Sequence, residues 1–357
     1  MWRPVLFLGA ALVGCSDYDI NKKSPDNPGL YTDTGSDGDT GDDDGEDEDG
    51  TADVRGRVCD PSGDGWTVGA EAWVELDLNG DGTIDQRISD ETDAEGWFQL
   101  DGVMLGHHTV HIEKGSFSTR IEVALTEPGL VELAEEECLQ SDDINVAVIT
   151  GQYDNIGAIL SGMNVEYDAY DGVSSSAYID LLTDPDAMGE YDIIFFNCGI
   201  DDGWLVRRSE IGVNIASYVE GGGSIYASDW AYGFFEAAFP TAIDFYGDDD
   251  THGEAFVGDT SRVDADVLDA DMMALLGSNK AELRYDLGGW VVPVSTLSTV
   301  QVMLRGDARL IYGGVQANAP LAMKLYRGGT ALYTTFHNEQ QITLDMAALL
   351  EEIVLNL

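Results

Sequence analysis

Short runs of alternating or β-branched residues fill residues 53–139, and turn-forming clusters separate them. The runs with strand character are 54–58, 72–76, 97–100 and 108–112. The clusters rich in glycine, aspartate or asparagine are 61–65, 79–82, 93–96 and 114–115. Strands at this regular spacing, with turns between them, are typical of β-sandwich domains. We therefore predict an all-β sandwich over residues 53–139.

The hydrophobic pattern changes over residues 144–357. Continuous apolar runs at 146–150, 193–196 and 224–227 have the length of strands that are covered on both faces. Helical spacing follows, with Ile211, Ile215 and Val219 four residues apart, and a final apolar face from Met346 to Leu357. This alternation predicts an α/β domain with a doubly wound, flavodoxin-like parallel sheet. A less regular stretch, about 244–320, predicts a β-rich insertion in that domain.

The first residues have the pattern of an export signal. A short cationic start precedes an apolar run at 5–14, which is shorter than the roughly 20 residues that span a bilayer. The segment LVGC, ending at Cys15, resembles the bacterial lipobox. The resemblance implies a signal peptide at 1–14, acylation of Cys15, and anchoring by lipid in the outer membrane, on its periplasmic or cell-surface face. The alternative is an ordinary signal peptide with an incidental cysteine.

Acidic residues dominate the charge of this 357-residue chain. It carries 67 Asp and Glu against 17 Lys and Arg, a formal net charge of −50. Such a chain repels nucleic acid, so we expect no nucleic-acid partner, and it attracts cations such as calcium. Residues 15–52 are largely acidic or small and lack apolar periodicity, which predicts a disordered tether. A weak calcium-binding segment is the alternative there.

The cysteines other than Cys15 divide between a pair and a single thiol. Cys59 and Cys138 bracket the predicted sandwich, and an exported protein meets an oxidising compartment, so we predict a disulfide between them. Cys198 follows a predicted strand, where we expect a small buried side chain in preference to an activated thiol. Because the chain has no CxxC pair, we expect no zinc site built on cysteine.

Oxygen-bearing side chains alternate between Asp77 and Asp85. The series at the first, third, fifth, seventh and ninth places is Asp77, Asn79, Asp81, Thr83 and Asp85, with glycine at the sixth place. This spacing matches the front of a calcium-binding loop. Ile88 occupies the twelfth place, where an EF-hand has glutamate, so a complete EF-hand is excluded. The loop predicts either a structural calcium site or a hydrophilic hairpin turn without metal.

Two segments of the chain resemble known families. The sequences VRGRV (54–58), TDAEGWF (92–98) and GVMLGHHTV (102–110) resemble the carboxypeptidase regulatory-like module. That resemblance implies a transthyretin-like (prealbumin-like) β-sandwich that acts as a non-catalytic stalk. The turn ASDWA (227–231) and the late segment YTTFHNE (333–339) resemble the class I glutamine amidotransferase-like fold. Neither resemblance implies a nucleotide or haem cofactor.

The second resemblance supplies the candidate site residues. In that family a cysteine occupies the strand–turn–helix elbow, and a late His-x-Glu provides the base and the acid that orients it. Here Asp229, or Ser228 one place earlier, occupies the elbow, while His337 and Glu339 match the late motif. The absence of the cysteine makes amidotransfer an unexpected activity for this chain.

We therefore expect a lipid-anchored, extracytoplasmic binding or structural lipoprotein that is not catalytic. Its β-sandwich would present the α/β domain to an unknown protein or small-molecule ligand. The alternative is a secreted hydrolase that uses Asp229 or Ser228 with His337 and Glu339.

Overall fold

The computed structural model describes residues 50–133, 137–201, 203, 209–247, 253–338 and 342–357. Among these residues the chain is β-rich and forms several sheets, with 43% in strands against 20% in helices. The predicted signal peptide, Cys15, nearly all of the tether and Glu339 lie outside the described residues.

Eight strands between Thr51 and Cys138 form two four-stranded sheets. They are β1 (Thr51–Cys59), β2 (Glu71–Leu76), β3 (Gln86–Glu91), β4 (Trp97–Met104), β5 (Gly106–Lys114), β6 (Phe117–Leu125), β7 (Gly129–Glu132) and β8 (Glu137–Cys138). In one sheet β1 lies between β4 and β7 and also pairs with β8, and the other has the order β3-β2-β5-β6. The four predicted runs all lie in strands.

Alternate side chains of these strands point into a common core. Val54 and Val58 of β1 are fully buried, as is Leu100 of β4, while Arg55 and Arg57 of β1 point to the other face and are more exposed. This is the period-2 pattern that the sequence predicts. The predicted disulfide is confirmed: Cys59 and Cys138 are bonded, and they are register partners on β1 and β8.

A nine-stranded sheet with flanking helices occupies the rest of the described chain. Its strands are β9 (Val146–Thr150), β10 (Asp168–Asp171), β11 (Ile193–Phe196), β12 (Ser224–Ser228), β15 (Ser261–Val267), β16 (Lys280–Tyr285), β19 (Val300–Arg309), β20 (Val315–Tyr326) and β21 (Thr330–Thr334). Their order is β10-β9-β11-β12-β21-β20-β19-β15-β16. The first five strands are parallel and the other four extend the sheet antiparallel.

Helices and two short ribbons complete the architecture. The helices are α1 (Ile156–Gly162), α2 (Ala177–Thr183), α3 (Pro185–Met188), α4 (Glu210–Glu220), α5 (Tyr232–Ala238), α6 (Ala270–Leu276) and α7 (Leu344–Leu355). The ribbons pair β13 (Ile243–Phe245) with β18 (Pro293–Thr296), and β14 (Phe256–Gly258) with β17 (Trp290–Val291). The β-rich stretch predicted at about 244–320 thus contributes both ribbons and four strands of the large sheet.

The central strands are apolar throughout because both of their faces are covered. Phe195 of β11 packs in the cluster that contains α1 and α7, whereas its neighbour Phe196 packs in the cluster that contains α4 and α5. Successive side chains of a strand point to opposite faces, so a strand covered on both sides needs no polar positions.

A buried ion pair joins β5 to α7. Lys114 Nζ lies 2.5 Å from Glu352 Oε1, and the two side chains are 4% and 2% exposed. Lys114 also donates to the carbonyl of Val68, and Glu352 accepts from Asn356 Nδ2 at 2.8 Å. The core cluster that contains α1 and α7 runs through the same region, from the two four-stranded sheets to α7.

Candidate functional site

The turn after β12 holds Asp229 in a strained conformation. The strand ends at Ser228, a short 3-10 turn spans Asp229–Ala231, and α5 begins at Tyr232. Asp229 has φ +43°, in the left-handed region that L-residues rarely adopt. Tyr333 Oη donates to its carbonyl at 3.0 Å and the Val291 N–H donates to Oδ1 at 2.7 Å, so two hydrogen bonds hold this geometry.

Three buried side chains of different chemistry meet at this turn. Asp229 Oδ2 lies 3.8 Å from His337 Nδ1 and 3.6 Å from Cys198 Sγ. Ligand-type atoms of all three residues lie within 4.8 Å of one another. We refer to them as the Cys198–Asp229–His337 cluster.

The sheet topology explains why residues so distant in sequence are neighbours. Cys198 follows β11, Asp229 follows β12 and His337 follows β21, and these three parallel strands are adjacent. Carboxyl ends of parallel strands meet at one edge of a sheet, where α/β proteins commonly bind ligands. Cys198 is buried, as expected, but its thiol belongs to the cluster, which the sequence reasoning did not anticipate.

Ser228 points away from this cluster and toward an acid that the sequence reasoning missed. Its Oγ donates to Asp154 Oδ2 at 2.5 Å and accepts the Cys198 N–H at 2.9 Å. Asp154 follows β9, the neighbour of β11, so its position after an apolar strand was the available signal. Since the hydroxyl hydrogen of Ser228 is directed to Asp154, the geometry favours Asp229 as the elbow residue that faces His337.

Burial controls the protonation of this region. It raises the pKa of the Cys198 thiol, and the nearby Asp229 carboxylate raises it further, so the thiol is neutral in this arrangement. It also raises the pKa of Asp154, although the proximity of His337 and the hydrogen bond from Ser228 oppose the shift. A neutral thiol is a poor nucleophile, so Cys198 is not a pre-activated catalytic cysteine.

Replacing Asp154 with asparagine should change how stability depends on pH. Because the pKa of Asp154 is raised, the folded protein binds this proton more tightly than the unfolded chain does. The wild type therefore loses stability as pH rises above about 3.9, the ordinary aspartate pKa, toward the folded value. In urea titrations across that range, we expect the wild type to lose its advantage over Asp154→Asn with rising pH. A difference that stays constant would contradict this assignment.

A cavity of about 300 Å³ opens beside the cluster. The three cluster residues line it at one end. Its walls are formed by five aromatic side chains: Tyr153, Trp230, Tyr285, Trp290 and Phe336. Tyr285 and Trp290 stack with ring centroids 4.0 Å apart. Arg284, which pairs with Asp286 at 2.8 Å, adds charge to the wall. The pocket therefore combines flat apolar walls with a buried polar end.

The Asp77–Asp85 segment forms the turn between β2 and β3, away from this pocket. Asp77 accepts hydrogen bonds from the N–H groups of Gly80 and Gly82, and Asp81 accepts from Thr83. The bond from Gly82 lowers the pKa of Asp77, and that from Thr83 lowers the pKa of Asp81. These carboxylates stabilise their own turn, and calcium binding by the loop stays a prediction.

Comparisons with known proteins identify no relative by sequence. No family model matches the chain, and no curated protein matches it. A cytoplasmic protein from Salmonella typhimurium is 12% identical, with 60% of this chain and 96% of that chain covered and a TM-score of 0.39. The mmIFT52 N-terminal domain is 9% identical, with 59% and 95% covered and a TM-score of 0.39. At these scores we draw nothing from either likeness.

Among the helices of the described residues, none combines the length and the apolar character that a membrane span needs.

Proposed function

We propose that this chain is a lipid-anchored, extracytoplasmic binding protein that takes a small, flat ligand into the aromatic pocket beside Asp229 and His337. The observation that carries the proposal is the pocket itself, a cavity of about 300 Å³ walled by five aromatic side chains and closed by a buried polar cluster. Small-molecule sites have this composition, with apolar walls and a few convergent polar groups, and a volume of roughly 300 Å³ or more.

The pocket walls are fixed before any ligand arrives. Trp230 Nε1 donates to the Gly289 carbonyl at 2.7 Å, and Trp290 Nε1 donates to the Asp259 carbonyl at 2.9 Å. Trp230 also stacks on Phe256 with centroids 4.9 Å apart. Rings held by hydrogen bonds lose little freedom on binding, which favours affinity.

The arrangement of the sheets supports the two-domain interpretation within this proposal. Five adjacent parallel strands with helices on both faces are what a doubly wound, glutamine amidotransferase-like domain requires. Two four-stranded sheets that share a core, one of them antiparallel throughout, support a transthyretin-like stalk. The Cys59–Cys138 disulfide supports export, since such bonds persist in oxidising compartments. On this view the acylated Cys15 and the acidic tether hold the stalk at the outer membrane.

Hydrolysis is the second candidate, and the conformation of Asp229 favours it. A left-handed residue at a strand–turn–helix elbow presents its side chain to the pocket, and His337 lies next to it. An Asp229 carboxylate that attacked an ester carbonyl would break the acyl C–O bond, release the alkoxide of the leaving group and form an acyl–enzyme anhydride. Water would then hydrolyse the anhydride, releasing the acid and restoring Asp229. The test is turnover of p-nitrophenyl acetate. Activity that Asp229→Asn abolishes and Ser228→Ala retains would show that the protein is a hydrolase, and this function would replace ligand binding as the proposal.

Narrowing the pocket rim should weaken ligand binding. Leu287 lines the pocket and is 57% exposed, so Leu287→Trp adds bulk at the entrance without disturbing the core. We expect the metal-free wild type to bind the dye anilinonaphthalene sulfonate saturably, measured by fluorescence, and Leu287→Trp to bind about tenfold more weakly, a change of about 1.4 kcal/mol.

Leu130→Trp is the matched control, because Leu130 is equally exposed and lies on β7, away from the pocket. It should bind the dye as the wild type does. Unsaturable binding, or equal weakening in the two variants, would refute a specific pocket.

A further inference from the structure

We propose that Cys198, Asp229 and His337 bind one zinc ion at the buried end of the pocket, with one coordination position open to the cavity. The metal site depends on the cluster alone. The ligand class that we derive from it, a flat molecule with a carboxylate or similar anionic oxygen, rests on the proposed function as well.

The distances from Asp229 to the other two side chains match tetrahedral zinc. With zinc bonds of about 2.3 Å to sulfur and 2.1 Å to oxygen or nitrogen, a tetrahedral centre separates its sulfur and oxygen ligands by about 3.6 Å and its nitrogen and oxygen ligands by about 3.4 Å. The corresponding distances here are 3.6 Å between Cys198 Sγ and Asp229 Oδ2, and 3.8 Å between His337 Nδ1 and that oxygen. Because the ligand atoms of all three residues lie within 4.8 Å of one another, side-chain rotations would bring them onto one ion.

Neighbouring groups hold the ligands in orientation. The Val291 N–H binds Asp229 Oδ1, which leaves Oδ2 turned toward the other two ligands. Ser228 Oγ accepts the Cys198 N–H and fixes the backbone that carries the thiol. Outer hydrogen bonds of this kind are a regular part of metal sites and sustain their affinity.

The donor set and its charge select the ion. A thiolate, an imidazole and a carboxylate form a mixed set that suits zinc, whereas calcium and magnesium require oxygen ligands. A thiolate and a carboxylate carry two negative charges, which one divalent cation neutralises. Neutrality matters because the three residues are buried, with His337 9% exposed and the others less, and an uncompensated charge there is costly.

The pocket gives the ion its open position. All three ligands line the cavity, so a fourth ligand must come from the cavity side. Three protein ligands with one open place are typical of zinc sites that exchange water for a bound molecule. An anionic oxygen would occupy this place, with its added charge in the same cavity as the Arg284 guanidinium, while the aromatic walls hold the rest of the molecule. No local motif of the sequence indicates this metal site, because its three ligands follow three different strands.

Cobalt provides a direct test on the full-length protein. One equivalent of Co²⁺ should produce the intense visible bands of a tetrahedral site and a thiolate-to-cobalt charge-transfer band, and Zn²⁺ should abolish both. Ions bound by exposed carboxylates give weak octahedral spectra without a charge-transfer band, so the acidic surface cannot mimic the result. Absence of the charge-transfer band in the wild type would overturn the metal site without reference to any variant.

Two variants test Cys198 and His337 as ligands of the ion. Cys198→Ser should remove the charge-transfer band and weaken Co²⁺ binding by at least about 100-fold, and His337→Gln should weaken it comparably. Asp244→Asn, which removes an exposed carboxylate on β13 outside both the pocket and the cluster, is the matched control and should bind within about threefold of the wild type. A band that persists in a folded Cys198→Ser protein would exclude this site.

Benzoate then tests the ligand class. Its addition to the cobalt form should shift the visible bands, whereas benzyl alcohol should not. Cobalt bands that benzoate leaves unchanged would overturn the ligand class while the metal site stands. If the metal-free protein binds the dye but Co²⁺ produces no charge-transfer band, the proposed ligand-binding function stands and the metal site is refuted.

Discussion

Lys114→Met should lower the free energy of unfolding by about 3 kcal/mol at neutral pH, because it leaves the Glu352 carboxylate buried without its counter-ion. Asn356 keeps one hydrogen bond to that carboxylate, so we expect the lower end of the range for broken buried pairs. Burial already raises the pKa of Glu352, and Lys114 opposes this shift. Without Lys114 the pKa rises further, so the loss should grow as pH rises above about 4.3, the ordinary glutamate value. Urea unfolding at several pH values measures both effects.

Lys280→Met is the matched control for this prediction. Lys280 pairs with Asp266 at 2.7 Å, but its side chain is 45% exposed and solvent screens the pair, so its loss should lower stability far less than the loss of Lys114 does. The double variant Lys114→Met/Glu352→Leu should recover most of the lost stability, because apolar side chains of similar size replace buried pairs well. Equal effects of Lys114→Met and Lys280→Met would mean that the β5–α7 pair is not a buried, coupled interaction.

The double variant Cys59→Ala/Cys138→Ala should lose about 4 kcal/mol of stability. The disulfide closes a loop across a sequence separation of 79 residues, and removing it restores conformational freedom to the unfolded chain. It also frees β8, a two-residue strand whose only described pairing is with β1. Urea unfolding of the oxidised wild type and the double variant gives the difference.

Dithiothreitol separates the crosslink from the packing of the two side chains. It should lower the stability of the wild type toward that of the double variant and leave the double variant unchanged. A wild type that is indifferent to reduction would show that the disulfide contributes little to stability.

Strand positions could be predicted wherever burial imposes a pattern. Residues 146–150 and 193–196 are apolar throughout, and they correspond to β9 and β11. β3 has the sequence QRISDE and is almost wholly exposed at the edge of its sheet, so no hydrophobic period marks it. An edge strand such as β3 forms through hydrogen bonds to its one neighbouring strand. Those bonds leave no mark in the pattern of apolar and polar side chains, so the sequence does not reveal the strand.

The candidate site was predictable only in part, for a similar reason. The turn after the strand at 224–227 and the histidine after the late strand predict Asp229 and His337 as site residues. Cys198 and Asp154 come next to them through the order β9-β11-β12-β21, which no segment of the sequence specifies by itself. Strand order is set by packing of the whole sheet, so it brings together residues that no motif connects.

The pairing of β12 with β21 has a consequence for how the protein acquires its structure. More than 100 residues separate Ser228 from Thr334, which are register partners. Pairings of such long sequence separation form late, since a large loop must close first. One edge of β12 therefore stays unpaired until residues 330–334 have been synthesised and reach it. The Cys198–Asp229–His337 cluster, which needs β21 beside β12, is therefore completed late in folding, and a chaperone that shields this apolar edge should raise the yield of folded protein.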